Sequence, residues 1–442
     1  MNRICLFLVL VLGGFACNTD FTAPVSSDVQ LTAEEVAVTE VWLKVHIEQK
    51  VLHDSIRVTR NDTSILALRF RGTDTLIIDD RLLPKQTYKY KLFSFGTSLP
   101  YVSSEVLTIT TMDTTSHEFI WEVDTLGEGN SSILFDVTII NDTLAYAVGE
   151  LYLKDSTGLF DPTMYNFARW DGTVWTLSRI YYAYDGGQFI SRLRSIFAFH
   201  QNDIWVGSTQ PMHWNGVRWE QYDLTASTFN GYITKISGRS SDYPYIVGSN
   251  GAMAHYNGSS WQKIDTRTSL DIQDIWGDHN EKTGDWEMLA VAGNYFISNE
   301  RKILRVAGSY VTTLSDNGIG FALNGIWFSP GKHYWAVGAG IYQKHFTLSA
   351  PFWEGGLNIP ITTYTTNRIR GNEVNDVFFV GAYGDCFHFN GATWRSYRAE
   401  TKLVDGAYYS VATKGNTVIA VGEKNPRAVV ARGVRTLSTG VR

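Results

Sequence analysis

Seven times along this chain an apolar strand runs into a glycine. The copies are Leu144-Ala145-Tyr146-Ala147-Val148-Gly149, Asp203-Ile204-Trp205-Val206-Gly207, Tyr245-Ile246-Val247-Gly248, Leu289-Ala290-Val291-Ala292-Gly293, Tyr334-Trp335-Ala336-Val337-Gly338, Val377-Phe378-Phe379-Val380-Gly381 and Val418-Ile419-Ala420-Val421-Gly422. Successive glycines lie 58, 41, 45, 45, 43 and 41 residues apart. A period in the forties has room for about four short strands, and it marks a chain built from one repeated unit that cannot bury its own faces alone.

A second element follows several copies: an aromatic, Asp or Asn, Gly, two residues, then Trp. It reads Trp170-Asp171-Gly172 to Trp175, Trp214-Asn215-Gly216 to Trp219, Tyr256-Asn257-Gly258 to Trp261, and Phe389-Asn390-Gly391 to Trp394. Asn-Gly and Asp-Gly suit hairpin turns in which both turn positions take φ > 0. A third element, Asp136-Val137, Asp274-Ile275-Trp276 and Gly325-Ile326-Trp327, precedes the glycine strand and reads as an inner strand. Four strands per unit and seven units predict an all-β propeller of seven blades over residues 118–442. The pattern resembles bacterial β-propeller lipoproteins with aromatic-Asn-Gly repeats. The hairpin around Val306-Ala307-Gly308-Ser309-Tyr310 departs most from the repeat. The strand Glu118 to Val123, with Phe119, Trp121 and Val123 on one face, is expected to complete the last blade.

Residues 31–115 carry a different pattern. Glu40 to Val45 and Ser55 to Thr59 alternate with period 2, and strands follow through Thr75-Leu76-Ile77-Ile78 and Thr87 to Leu92. The Leu-x-Pro-x-x-x-Tyr spacing of Leu82, Pro84 and Tyr88 resembles the tyrosine corner of fibronectin type III domains. The resemblance implies an N-terminal β-sandwich that serves as a spacer or adhesion module. It departs at Val45, where that family often carries a core Trp.

The first 16 residues read as a signal peptide. One positive charge, Arg3, precedes the apolar run Ile4 to Leu12, and small residues Gly14 and Ala16 lead to Cys17. This resembles the bacterial lipoprotein signal, which implies lipidation of Cys17. Residues 17–30 then form a tether. With Cys5 removed, Cys386 is the remaining thiol, so no disulfide framework is expected. The expected location is the bacterial cell envelope, with the chain held to the membrane by lipid alone. A net charge of −6 argues against nucleic-acid binding.

Composition sets the balance between packing and recognition. The chain holds 14 Trp and 23 Tyr, and the Trp that recur at fixed unit positions are assigned to packing. The non-repeating aromatics carry the functional expectation. The segments Gly149 to Ala168 and Ile180 to Ser191 place Tyr152, Tyr165, Tyr181, Tyr182 and Tyr184 on long loops of one face, and these are the candidate ligand-binding residues. The partner is expected to be a protein or polysaccharide of the envelope, bound by a monomer without cofactor, metal or catalysis. The alternative is a carbohydrate-active enzyme, a glycosidase or glycosyltransferase at the channel mouth. The groups weighed for it are Asp278, His279 and Glu281 as an acid or metal cluster, and Arg192, Arg194, Arg368 and Arg370 as a convergent arginine set. A purely structural envelope lipoprotein is a third reading.

Overall fold

The computed structural model describes residues 24–442 except 50–52, 97–100, 130, 295–298, 346–349, 357–361, 363 and 437–442. The signal segment and Cys17 lie outside the described residues. The described chain is almost wholly β, with a single helical turn at Arg398–Thr401 and one 3-10 turn at Ser249–Gly251. It groups into two compact units, one drawn mainly from residues before 112 and one from 112 onward.

The first unit holds two antiparallel sheets. One runs Val29–Val36, Glu40–Ile47, Asp74–Asp80; the other is built on Ser55–Arg60 paired to Thr63–Arg69 and Thr87–Phe95, the last also pairing Val102–Ser103 and Leu107–Thr110. Alternation does the sorting: Val41, Leu43, Val45 and Ile47 turn inward from one strand, and Tyr88, Tyr90 and Leu92 from another. Leu82 and Tyr88, the ends of the tyrosine-corner spacing, both lie in this core, and Val45 is fully buried. One polar group joins it. Asp79 accepts from the Arg60 guanidinium at 2.9 and 3.0 Å and from the Tyr90 hydroxyl at 2.7 Å.

The second unit contains, among the described residues, seven four-stranded antiparallel sheets. The inner strands are Ile133–Asn141, Ser195–His200, Ile233–Gly238, Ile272–His279, Leu323–Ser329, Thr366–Glu373 and Ala407–Lys414. Each touches the next, and the last touches the first, so the inner strands form a closed ring. The glycine-terminated segments are the second strands. Apolar clusters fill the layers between neighbouring sheets; Leu289, Val291, Ile303, Leu323, Ile326 and Phe328, for example, bridge the fourth and fifth. The irregular hairpin is present as Ala307 paired to Tyr310, with Gly308 at φ +62°.

The seventh sheet joins both ends of the unit. Its order is Ala407–Lys414, Thr417–Lys424, Arg427–Arg435, then Phe119–Leu126, which pairs antiparallel from Ala428↔Leu126 to Arg435↔Phe119. Trp121 lies opposite Gly433 and packs on Tyr397 at 4.9 Å, as the closing-strand expectation requires.

The recurring glycine has a steric cause. In six inner strands the register slips by one residue near the start, at Phe135, Thr234, Gln273, Asn324, Asn367 and Tyr409. A bulge of this kind pushes backbone toward the paired strand. A Cβ at Gly149, Gly248, Gly338, Gly381 or Gly422 would sit 1.9 to 2.2 Å from a carbonyl oxygen at or one residue before the start of the inner strand. Only a residue without Cβ fits there.

The aromatic-Asn-Gly hairpins differ from the expectation. Trp170 pairs Trp175 across a four-residue loop, and positive φ occurs at Gly172 but not at Asp171. The Asp171 carboxylate instead accepts the N–H of Thr173 and Val174, both at 2.9 Å. Asn215, Asn257 and Asn390 do the same in their units. The Asx side chain shapes these turns, and glycine supplies the single left-handed residue.

Candidate functional site

An antiparallel meander puts its first-to-second and third-to-fourth hairpins at one end and its remaining connections at the other. The Asx hairpins therefore share one face. The two long connections of the first sheet, 152–164 and 179–194, share the opposite one. Asn166 ties them together: its amide donates to the carbonyls of Ile180 and Ser191, both at 2.9 Å, and accepts from Ile180 N–H at 2.8 Å. Arg179 adds bonds to the carbonyls of Met164 and Thr163, an ion pair to Asp161, and lies 3.9 Å over the Tyr165 ring.

The five tyrosines do not act as one group. Tyr182 is 0% exposed, belongs to the core between the first two sheets and stacks on Phe189 at 5.4 Å; it is a packing residue and not a surface anchor. Tyr165 is half-buried under Arg179. Tyr152 donates to Glu150 at 2.5 Å, and burial together with that carboxylate raises its pKa to about 12. Glu150 also pairs with Arg192 at 3.1 Å, which holds Tyr152 beside the inner strands. Tyr181 and Tyr184 remain open, at 40% and 76% exposure. Tyr184 stands on a small hairpin, Tyr182–Tyr184 paired to Gly187–Phe189, which Gln221 grips through both the N–H and the carbonyl of Ala183. Beneath it lies an open depression of about 970 Å³ lined by Tyr184, Asp185, Gln188, Gln210 and Asp223 among others.

The bulges place six half-exposed residues where the inner strands begin, on this same face. Arg194 stands at the corresponding place in the second sheet, its N–H donating to Gly207. Its guanidinium lies 5.5 Å from the rings of both Phe135 and Tyr232, and Phe135 faces Tyr409 at 6.4 Å. Burial, and then the charge of Arg192, lower the pKa of Arg194.

One residue further along the strands, two carboxylates hold the axis. Asp136 accepts Lys235 Nζ at 2.7 Å on each oxygen, the hydroxyls of Ser195 and Ser410 at 3.1 and 2.7 Å, and Ile196 N–H at 2.9 Å. Asp274 takes Arg370 in a two-pronged pair at 2.8 and 2.9 Å, Arg368 at 2.9 Å, and Ile326 N–H at 3.0 Å. Arg368 and Arg370 thus converge on a carboxylate, but as a buried ion pair; Arg192 and Arg194 belong to the rim. Burial alone would raise both carboxylates. The facing cations outweigh it, Lys235 foremost at Asp136 and Arg368 at Asp274, and hold both below the usual range. Neither can carry a proton near neutral pH, so this pair supplies no general acid.

Asp278, His279 and Glu281 lie at the other end of the fourth sheet's inner strand. Asp278 is raised, by burial first, and accepts His279 N–H at 2.7 Å, while Glu281 pairs with Lys332 at 3.1 Å. Among the described residues no group of three or more His, Cys, Asp or Glu could hold a metal ion. Cys386 is buried, and burial pushes its thiol up.

Two histidines share one design. His213 Nε2 meets Asp203 at 2.8 Å, Ser241 donates to the same carboxylate at 2.6 Å, and Trp205 stacks on His213 at 4.4 Å. His388 meets Asp376 at 2.9 Å and stacks on Phe378 at 4.6 Å. In both, the Asp opens the glycine strand and the His lies on the next strand. That spacing is the signal that could have found them.

No protein-family model and no curated protein matches the chain. Solved structures do. One described as YCF48 bound to D1 peptide aligns with a TM-score of 0.54 and 16% identity, over 73% of this chain and 97% of that one. YCF48 from Cyanidioschyzon merolae aligns with a TM-score of 0.52 and 14% identity, over 72% and 98%. The fold is a β-propeller. At this identity the likeness concerns architecture alone.

Proposed function

We propose that the chain is a lipid-anchored binding protein of the bacterial cell envelope. A seven-bladed propeller recognises a protein segment or glycan with the face that carries the long first-sheet connections. A fibronectin type III-like sandwich and the 17–30 tether hold that propeller away from the membrane, with the lipid on Cys17. The observation that carries the reading is the depression under Tyr184, where an exposed ring meets the side chains of Asp185, Gln188 and Asp223. A rigid scaffold presenting an aromatic beside amides and carboxylates suits peptide or sugar recognition. That a propeller of this architecture, YCF48, has been solved with a D1 peptide supports a protein segment as the occupant. At the axis, Asp136 and Asp274 are both ion-paired and offer no general acid for a glycosidase there.

The test is affinity capture from envelope extract with the purified chain, followed by titration of the captured partner against Tyr181→Ala and Tyr184→Ala. Loss of binding at an unchanged melting temperature supports the site. Full binding by both variants overturns it.

A further inference from the structure

The inner strands enclose a cavity of about 140 Å³, lined from six of the seven sheets. The period of 2 along each strand puts a second ring of residues two positions beyond the ion pairs: Thr138 after Asp136, Ser237 after Lys235, Trp276 after Asp274 and Arg370 after Arg368. The cavity lies against this second ring, with Thr413 and Lys235 also on its wall.

Its charge does not cancel. The buried cluster contains the carboxylates of Asp136 and Asp274 and the cations of Lys235, Arg368 and Arg370, so one positive charge is left over. Lys235 and Arg370, the two cations on the cavity wall, are 5% and 6% exposed. An uncompensated charge at such depth costs several kcal/mol unless a counterion joins it. The donors for one are present. Lys235 has three N–H donors, while among the described residues its bonded partner is the Asp136 carboxylate. Ser237, Thr138 and Thr413, each carrying a hydroxyl, line the same space.

We propose that this cavity binds a small monovalent inorganic anion of the size of chloride. One negative charge completes the cluster, whereas a divalent anion would reverse the imbalance. The volume is several times the ~30 Å³ share of a water molecule. It admits a halide with one or two waters and rejects an organic acid such as gluconate. The lowering of Lys235, to about 8, follows the same imbalance: burial leads, and Arg370 and Arg368 add to it against Asp136.

Two measurements decide it, both on the folded full-length chain. The first is thermal unfolding across a chloride series at constant ionic strength, with gluconate as the balancing anion. The melting temperature should rise with chloride and saturate, as linkage to one site requires. The second is a crystal soaked in bromide, whose anomalous signal should lie within hydrogen-bonding distance of Lys235 Nζ. Lys235→Met would leave Asp136 buried and unpaired and could fail to fold. The variant of choice is therefore Thr138→Val with Ser237→Ala, which removes two donors and keeps every ion pair. It should raise the half-saturating chloride concentration at least tenfold. A flat chloride series overturns the proposal. So does bromide that binds only elsewhere, or a saturating response that the double variant leaves unchanged.

Discussion

The most telling single residue is the glycine that recurs toward the end of each second strand. Its recurrence is plain in the sequence; its reason in five of the seven sheets is not, because the bulge that demands it lies on a neighbouring strand and leaves no mark in the local composition. A Cβ at Gly338 would fall 2.1 Å from the Ala322 carbonyl oxygen, and backbone cannot step aside. Gly338→Ala should therefore cost about 2–3 kcal/mol in denaturant unfolding. Gly308→Ala, in a left-handed turn with open space around it, should cost only about 1 kcal/mol. Equal losses would refute the carbonyl argument. The histidine pair gives a second test at this scale. With both rings neutral, His388 Nε2–H donates to Asp376 and its Nδ1 accepts from His117 Nδ1–H at 2.8 Å. That N–H···N contact cannot survive a proton on both rings at once. Burial, then the charges of His388, Arg395 and Arg435, lower His117 to about 4 from 6.5. Between those values the unfolded chain takes up a proton that the folded chain refuses. This part of the stability is intact above pH 6.5 and is lost as pH falls toward 4. Melting temperatures over pH 7 to 4 should show the decline, with a shallower slope in His117→Asn; an unaltered slope would discard the pair as its source.

At the scale of elements, strands and hairpins were legible because period 2 and Asx-Gly turns are local signals. The long connections were legible only as loops. Which of their tyrosines look outward depends on where the chain turns back: Tyr182 begins a two-stranded hairpin and is drawn under Phe189, while Tyr184, two residues on, stands clear. The consequence can be measured. Tyr182→Ala empties a buried site and should cost about 3–5 kcal/mol. Tyr184→Ala should stay within about 0.5 kcal/mol of the parent. A Tyr184→Ala variant as unstable as Tyr182→Ala would turn the hairpin from a recognition element into a packing element. The arginines show the limit from the other side. Arg368 and Arg370 meet Asp274 across about a hundred positions of chain, a juxtaposition that no spacing rule reports.

For the molecule as a whole, the repeat count set the ring, and the N-terminal pattern sets an expectation of place that has its own test. Cys17→Ala should move the protein from the membrane to the soluble fraction, and a mature N-terminus elsewhere by mass spectrometry would remove the anchor. What the linear pattern could not convey is the axis. Asp136, Lys235 and Asp274 each occupy an ordinary strand position, and only closure makes them neighbours. That closure also has a meaning in time. Leu126 pairs with Ala428 and Phe119 with Arg435, so the outermost strand of the last sheet is made early, and its partner some three hundred residues later. Because the chain emerges N-terminus first, that strand waits with an unpaired edge until its distant partner has followed. Six sheets can form in order as they emerge, each from contacts close in sequence, whereas the seventh cannot form until Arg427–Arg435 has followed. The final step in making this protein is therefore a loop closure on the scale of the whole ring, and anything that shields Phe119–Leu126 until then guards the chain at its most aggregation-prone moment.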